Sequence, residues 1–340
     1  MATTNLRVVF SSVWTGTSNV LTRRRASIIL LLLLITAALC LTVALGCGSS
    51  GCFSSTAEVV WGLRLPRALS AFSVGGLLAL AGALMQVLLR NPLADPYILG
   101  VSGGAAVGAM LALLLAPAAF IVTSTHIGAL GGAILSIALL FGLAREAVLW
   151  SDATNSGIRL VLTGVMIAAG FGACITLMLS VAPDGRLRGM IFWLMGDLEN
   201  SALYAPACVL LLLTTLWSIN NAPRLNILVH GDVAARILGI PVQRLRLQAL
   251  LIASVATAAA VATAGTIGFV GLVVPHALRL VFGNDQRLLL PACALCGGSA
   301  LLLADLLART VVAPVQLPVG VITALIGVPL FLHLLKTRRR

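Results

Sequence analysis

Apolar positions in the 340-residue chain fall into long, nearly unbroken runs instead of alternating or following one helical face. Runs of roughly 20 residues recur between short polar breaks, each long enough to cross a hydrocarbon layer about 30 Å thick. The pattern predicts spanning helices over 26–45, 68–89, 98–115, 127–144, 158–181, 202–219, 247–266, 268–282, 288–307 and 318–335. Asn91-Pro92-Leu93-Ala94-Asp95-Pro96 and Pro183-Asp184-Gly185 are breaks that no straight helix crosses. The segment 190–196 is too short to span and predicts a surface or re-entrant helix. The first run follows Arg23-Arg24-Arg25 and exceeds the length of a signal-peptide core, so it predicts an uncleaved first span.

One polar stretch, from Gly231 to Pro241, interrupts this pattern differently. Asp232 is a suitable N-cap and Gly239 a suitable C′ residue, which predicts a helix of under two turns over 233–238. Pro241 suits the first turn of a second short helix through Gln243, Arg244 and Arg246. Helices this short are not stable alone and need a packing partner.

Composition fixes the class. The chain is 60% hydrophobic and 9% charged, with a mean hydropathy of +1.09, whereas soluble chains carry about 25% charged residues. It is an all-α polytopic membrane protein whose partner is the lipid bilayer. The net charge of +12 raises the question of nucleic acid. Ten spans, however, place both termini on one side, and of the 22 Lys and Arg only Arg64, Arg67, Arg186, Arg188 and Arg309 fall on the other. That bias is the positive-inside pattern, so the charge is a topology signal, both termini are expected in the cytoplasm, and no nucleic-acid partner is expected.

Candidate chemistry is sparse. Lys336 is the sole lysine, so no Walker A loop is possible. No catalytic set and no metal-ligand set emerge, no cofactor is expected, and the protein is not expected to be an enzyme. Cys293 and Cys296 form a CxxC inside an apolar run without companion ligands, which predicts core packing. Cys47 and Cys52 flank a Gly/Ser loop and are candidates for a disulfide if that loop faces an oxidising compartment. Gln86 predicts an interhelical hydrogen bond. Arg64 and Arg67 bracket Pro66 at one end of the second run, and Arg309 follows Asp305 at the end of the ninth. Such arginines anchor headgroups or offer guanidinium forks to an acidic partner.

Taken in order, Arg64-Leu-Pro-Arg67, Gly82-Ala-Leu-Met-Gln86, Asn91 to Pro96, Gly100-Val-Ser-Gly-Gly104, Trp193-Leu-Met-Gly196, Gly231 to Gly239, Gly268 to His276, Leu302 to Arg309 and Leu317-Pro-Val-Gly320 resemble the FecCD-type permease subunits of ABC importers for iron-siderophore complexes, haem and cobalamin. The resemblance implies a type II ABC importer permease of ten transmembrane helices in the bacterial inner membrane, working as a homodimer with two ATP-binding cassette subunits and a periplasmic substrate-binding protein. It implies that Arg64, Arg67 and Arg309 dock the binding protein. It further implies that Gly231, Asp232, Ala235, Arg236, Leu238 and Gly239 belong to the element coupling to the ATPase, and that Ser156 and Gly157 lie near a cytoplasmic gate. The organisation expected is a tail over 1–25, a permease domain over 26–335 with its coupling region at 220–246, and a basic tail over 336–340. The rival reading is an ATP-independent secondary transporter or channel. Its signature of ionisable residues in mid-span is nearly absent.

Overall fold

The computed structural model describes residues 23–48, 51–52, 56–143, 153–199 and 202–337, with the side chains of 23, 52, 153–157, 335 and 337 excluded. Twelve helices follow one another among the described residues: α1 Arg23–Gly46, α2 Ala57–Leu88, α3 Val101–Leu115, α4 Ile121–Leu143, α5 Ala153–Val181, α6 Asp184–Leu194, α7 Tyr204–Val229, α8 Asp232–Ile237, α9 Val242–Ala264, α10 Val270–Phe282, α11 Gln286–Thr310 and α12 Val319–Thr337. Setting aside the short α6 and α8 leaves ten. Seven are long and apolar enough to cross a membrane, and α3, α10 and α12 are shorter apolar helices. The only strands described, β1 Cys47–Gly48 and β2 Gly51–Cys52, form a small antiparallel ladder with Cys47 opposite Cys52. Cys47 is disulfide-bonded.

Contacts between helix ends establish the alternation. On one face, Asn226 near the end of α7 donates to Asp285 before α11 at 2.7 Å, and Arg246 at the start of α9 donates to Leu88 O at the end of α2 at 3.1 Å. On the opposite face, Arg309 at the end of α11 donates to Ala44 O at the end of α1 at 2.8 Å. There too Arg186 in α6 donates to Leu113 O and Leu114 O at the end of α3, at 2.9 and 2.6 Å. These last arginines satisfy carbonyls that a helix terminus leaves without partners. The first face is the one α1 starts from and α12 runs towards, here called the terminal face.

Helix α2 is the axis of the bundle. It packs on α7, α9, α10 and α11, and its side chains are buried almost continuously from Ser73 to Leu88. Small residues permit this. A Cβ on Gly82 would lie 1.8 Å from Gly271 O in α10, and one on Gly75 would lie 2.2 Å from Gly297 O in α11. Membrane helices gain little from burying apolar surface against each other, so association depends on such close backbone approach. Gly82→Ala is therefore expected to force α2 and α10 apart. A thermal midpoint in detergent lowered by several degrees checks this, and an unchanged midpoint contradicts the packing described.

The spans fall where the apolar runs predict, but several ends move. Arg64-Leu-Pro-Arg67 lies inside α2, not before it, because a π-turn over Val60–Arg64 accommodates the missing N–H of Pro66. Helix α7 continues ten residues past Ile219 through Pro223 to Val229. The predicted second short helix at Pro241 is simply the first turn of α9. Ser156 and Gly157, predicted in a loop, belong to the opening turns of α5, and their side chains lie outside those described. Most of the loop that precedes them also lies outside the described residues.

Candidate functional site

Three clusters carry the polar chemistry of the bundle, and the first is built on α8. This six-residue helix ends in a left-handed Gly239 (φ 75°), as its sequence predicts. Gly239 N–H donates to Arg236 O at 2.9 Å and Ile240 N–H to Ala235 O at 3.0 Å, which closes the terminus as a Schellman motif. The start differs from expectation. The N-cap is Gly231, at φ 123°, and Asp232 makes no cap hydrogen bond. Its carboxylate is buried and pairs instead with Arg90, just past α2, and with Arg246 of α9 at 2.8 Å. Arg246 also reaches Leu88 O. Two cations attract the carboxylate more strongly than two N–H groups at a helix start, so the capping role passes to a glycine.

Anchoring through Asp232 and buried Ala235 leaves the other side of α8 bare. Val233, Ile237 and Leu238 are 71%, 80% and 65% exposed, and Arg236 is exposed beside them. The result is an apolar patch on a short helix held in place by an ion cluster.

The second cluster occupies the opposite end of α2. Arg67 grips Asp305 of α11 side-on, with Nε at 3.0 and 3.2 Å from the two carboxylate oxygens and Nη2 at 2.7 Å from one. Its Nη1 donates to Gln316 Oε1 at 3.1 Å. Arg309 shares the same carboxylate at 3.3 Å. Arg64 donates to Leu45 O and Gly46 O, both at 2.9 Å, at the end of α1. All three predicted arginines thus converge, joined by Gly48, Pro314 and Gln316 around a cavity of about 230 Å³. They are not free forks: each already serves an internal acceptor, and Asp305 is fully buried between two of them. Three guanidiniums against one carboxylate still leave a net charge of +2 facing the cavity.

Between these ends, non-helical backbone meets deep in the bundle. The 3₁₀ turn Pro96–Leu99 opens with Asp95, whose side chain accepts from Tyr97 N–H at 2.8 Å. The Tyr97 hydroxyl then binds the linker between α9 and α10. Gln86 donates to Leu272 O at 3.3 Å and accepts from Arg279 at 2.8 Å, the interhelical role its sequence position predicts. Cys293 and Cys296 are free thiols within α11, and no group of three or more metal-ligating side chains occurs among the described residues.

Sequence reasoning missed Arg90, Arg246 and Asp305 as partners within these clusters. Arg90 and Arg246 pair with Asp232 across 142 and 14 positions and Asp305 with Arg67 across 238, separations that no local spacing signals, whereas Asp305 and Arg309 are only four apart.

Residues 9–337 match the model of the FecCD transport family. The hemin transport system permease protein of Yersinia pestis is 39% identical over 326 residues, covering 88% of this chain and 94% of the relative. The vitamin B12 import system permease protein of Vibrio cholerae is 39% identical over 279 residues, covering 82% of each. An uncharacterized ABC transporter permease protein of Bacillus subtilis is 40% identical over 294 residues, covering 83% of this chain and 80% of its own. Among solved structures, a metal-chelate type ABC transporter in an inward-facing conformation superposes with a TM-score of 0.81 at 30% identity, covering 91% of this chain and 99% of the other.

Proposed function

The chain belongs to the FecCD transport family, and from that premise we propose that it passes a metal chelate, such as a ferric siderophore, cobalamin or haem, inward across a bacterial inner membrane. It is a permease subunit of an ABC importer and not itself an enzyme. Such subunits act with ATPase subunits and substrate-binding proteins.

One observation carries the finer assignment: the exposed Val233, Ile237 and Leu238 on a helix pinned by a buried ion cluster. In this reading α8, with Asp232, Ala235, Arg236, Leu238 and the glycines at its ends, docks in a groove of the ATP-binding subunit. The terminal face is cytoplasmic, as the positive-inside bias supports. The disulfide-bonded Cys47 on the other face suits an oxidising periplasm. There the +2 cavity of Arg64, Arg67 and Arg309 receives carboxylates of the binding protein. The exposed apolar length of α5, including Leu162, Met166 and Leu177, is offered to a second copy of the chain across the pathway, and the gate lies near Ser156 and Gly157 at its start.

Transport then works by alternating access. Closure of the ATPase dimer displaces α8, and the helix bundle changes which side is open. Among the described residues the buried Asp and Arg side chains are Arg64, Asp232, Asp305 and Arg309, all near helix ends. Proteoliposomes holding the complete complex are expected to take up one chelate class only when ATP is supplied with the binding protein. Uptake driven by a proton or sodium gradient without ATP overturns the assignment.

A further inference from the structure

The end of α6, the linker after α9 and the start of α12 meet as bare backbone. Gly320 N–H donates to Met195 O at 3.1 Å and Val319 N–H to Gly196 O at 3.2 Å. The Thr266 hydroxyl donates to Leu194 O, and Asp197 N–H donates to Ala264 O, the last residue of α9, at 2.9 Å. Groups orphaned at three helix ends thereby satisfy one another. The negative end of α6 abuts the positive end of α12. Glycines make the approach possible: a Cβ on Gly320 would lie 2.2 Å from Met195 O, and one on Gly265, itself at φ +68°, would lie 2.1 Å from Trp193 O. With backbone directly on backbone at Met195, Gly196, Val319 and Gly320, α6 moves with the start of α12.

Two routes join this junction to the anchor of α8 among the described residues: α9 itself, from Arg246 to Ala264, and the side chain of Tyr97. The Tyr97 hydroxyl donates to Ile267 O at 3.0 Å and accepts from Ile267 N–H at 2.9 Å. Arg90, the partner of Asp232, precedes the turn that carries Tyr97, and the segment between them is folded on itself by Ala94 N–H to Asn91 O at 3.1 Å and Leu93 N–H to Asn91 Oδ1 at 3.0 Å. We propose that Tyr97 is a positioning residue that delivers displacement of α8 to α6 and α12, through Arg90, the 91–97 turn and Ile267. The inference rests on the reading of α8 as the ATPase-docking element. The ion pair ties α8 to Arg90, the covalent 91–97 segment leads to Tyr97, two hydrogen bonds tie Tyr97 to the linker, and the Thr266 hydroxyl ties the linker to the end of α6, which backbone hydrogen bonds join to α12.

Removing the hydroxyl strands both polar groups of Ile267 in a buried setting, a loss equivalent to about a ten-fold change in equilibrium. The test is hydrogen exchange on the chain purified with its co-purifying ATP-binding subunits, with and without Mg-ATP and vanadate. In the wild type, trapping is expected to change exchange at 232–238 and, together with it, at 193–197 and 318–322. In Y97F the change at 232–238 is expected to persist while the change at 193–197 and 318–322 shrinks about ten-fold. A full junction response in Y97F overturns the inference, as does a wild-type response at 232–238 without one at the junction. No wild-type response at 232–238 overturns the docking reading itself and this inference with it. If Y97F does not assemble, T266V serves as the second variant, because it retains Tyr97 but cuts the linker from Leu194. It is expected to keep the response at Ile267 and weaken it at 193–197, and equal responses at both overturn the inference.

Discussion

Replacing Asp232 with Ala is expected to strip the chain of its ATP-binding subunit while leaving the ten-helix body inserted and folded. Among the described residues the carboxylate is what draws Arg90 and Arg246 together over the end of α2. Removing one member of a buried ion pair costs about 3–5 kcal/mol, because the remaining charge is left desolvated. Arg246 bears most of that cost, since Arg90 is about one-third exposed and regains water. A helix of six residues has no stability of its own to resist the loss. The exposed apolar face then has no fixed geometry to present. Asp232→Pro is expected to behave like the Ala variant and no worse, since Asp232 occupies the first helical position, where proline is tolerated. Co-purification from mild detergent measures the outcome. Retention of the ATP-binding subunit at wild-type stoichiometry by both variants contradicts it.

At the other end of α2, Asp305→Ala is expected to produce the largest loss of stability among single changes at charged positions. Asp305 is fully buried and accepts from Arg67 while sharing Arg309, and both are largely buried. Two stranded guanidiniums then repel each other between α2 and α11, again at about 3–5 kcal/mol. A marked fall in thermal midpoint in detergent is the expected reading. Adding Arg67→Ala in the same chain is expected to restore part of the loss, because neighbouring members of one network are not additive. Equal and additive losses contradict the pairing. The same geometry explains why the arginines remain useful to a partner: Asp305 orients two of them without neutralising the site.

Sequence and structure diverge in a consistent way. Helix positions, the left-handed Gly239 and the role of Gln86 were legible because each follows from local composition or from one residue's chemistry in an apolar run. Asp232 reads as a cap in the sequence because its partners, Arg90 and Arg246, reach it by tertiary packing alone, and Arg309 reads there as a free fork because its cluster with Asp305 and Arg67 is not visible. In the second case Asp305 stood four residues away, yet the sequence does not say that Arg67 from a distant helix completes the cluster. Helix ends drifted wherever polar residues stay helical beyond the apolar run, as Asn220 to Val229 do in α7. The backbone junction of α6, α9 and α12 was illegible. It depends on glycines that in sequence look like the many other small residues of a membrane bundle.

If α8 seats in an ATP-binding subunit, that subunit covers Ile237, which is 80% exposed at the tip of the helix. A photo-reactive amino acid in place of Ile237, activated in native membranes, is expected to capture an ATP-binding cassette subunit and to lose that product when Asp232 is also replaced. Capture of lipid or of a second copy of this chain, with no ATP-binding subunit among the products, contradicts that seating.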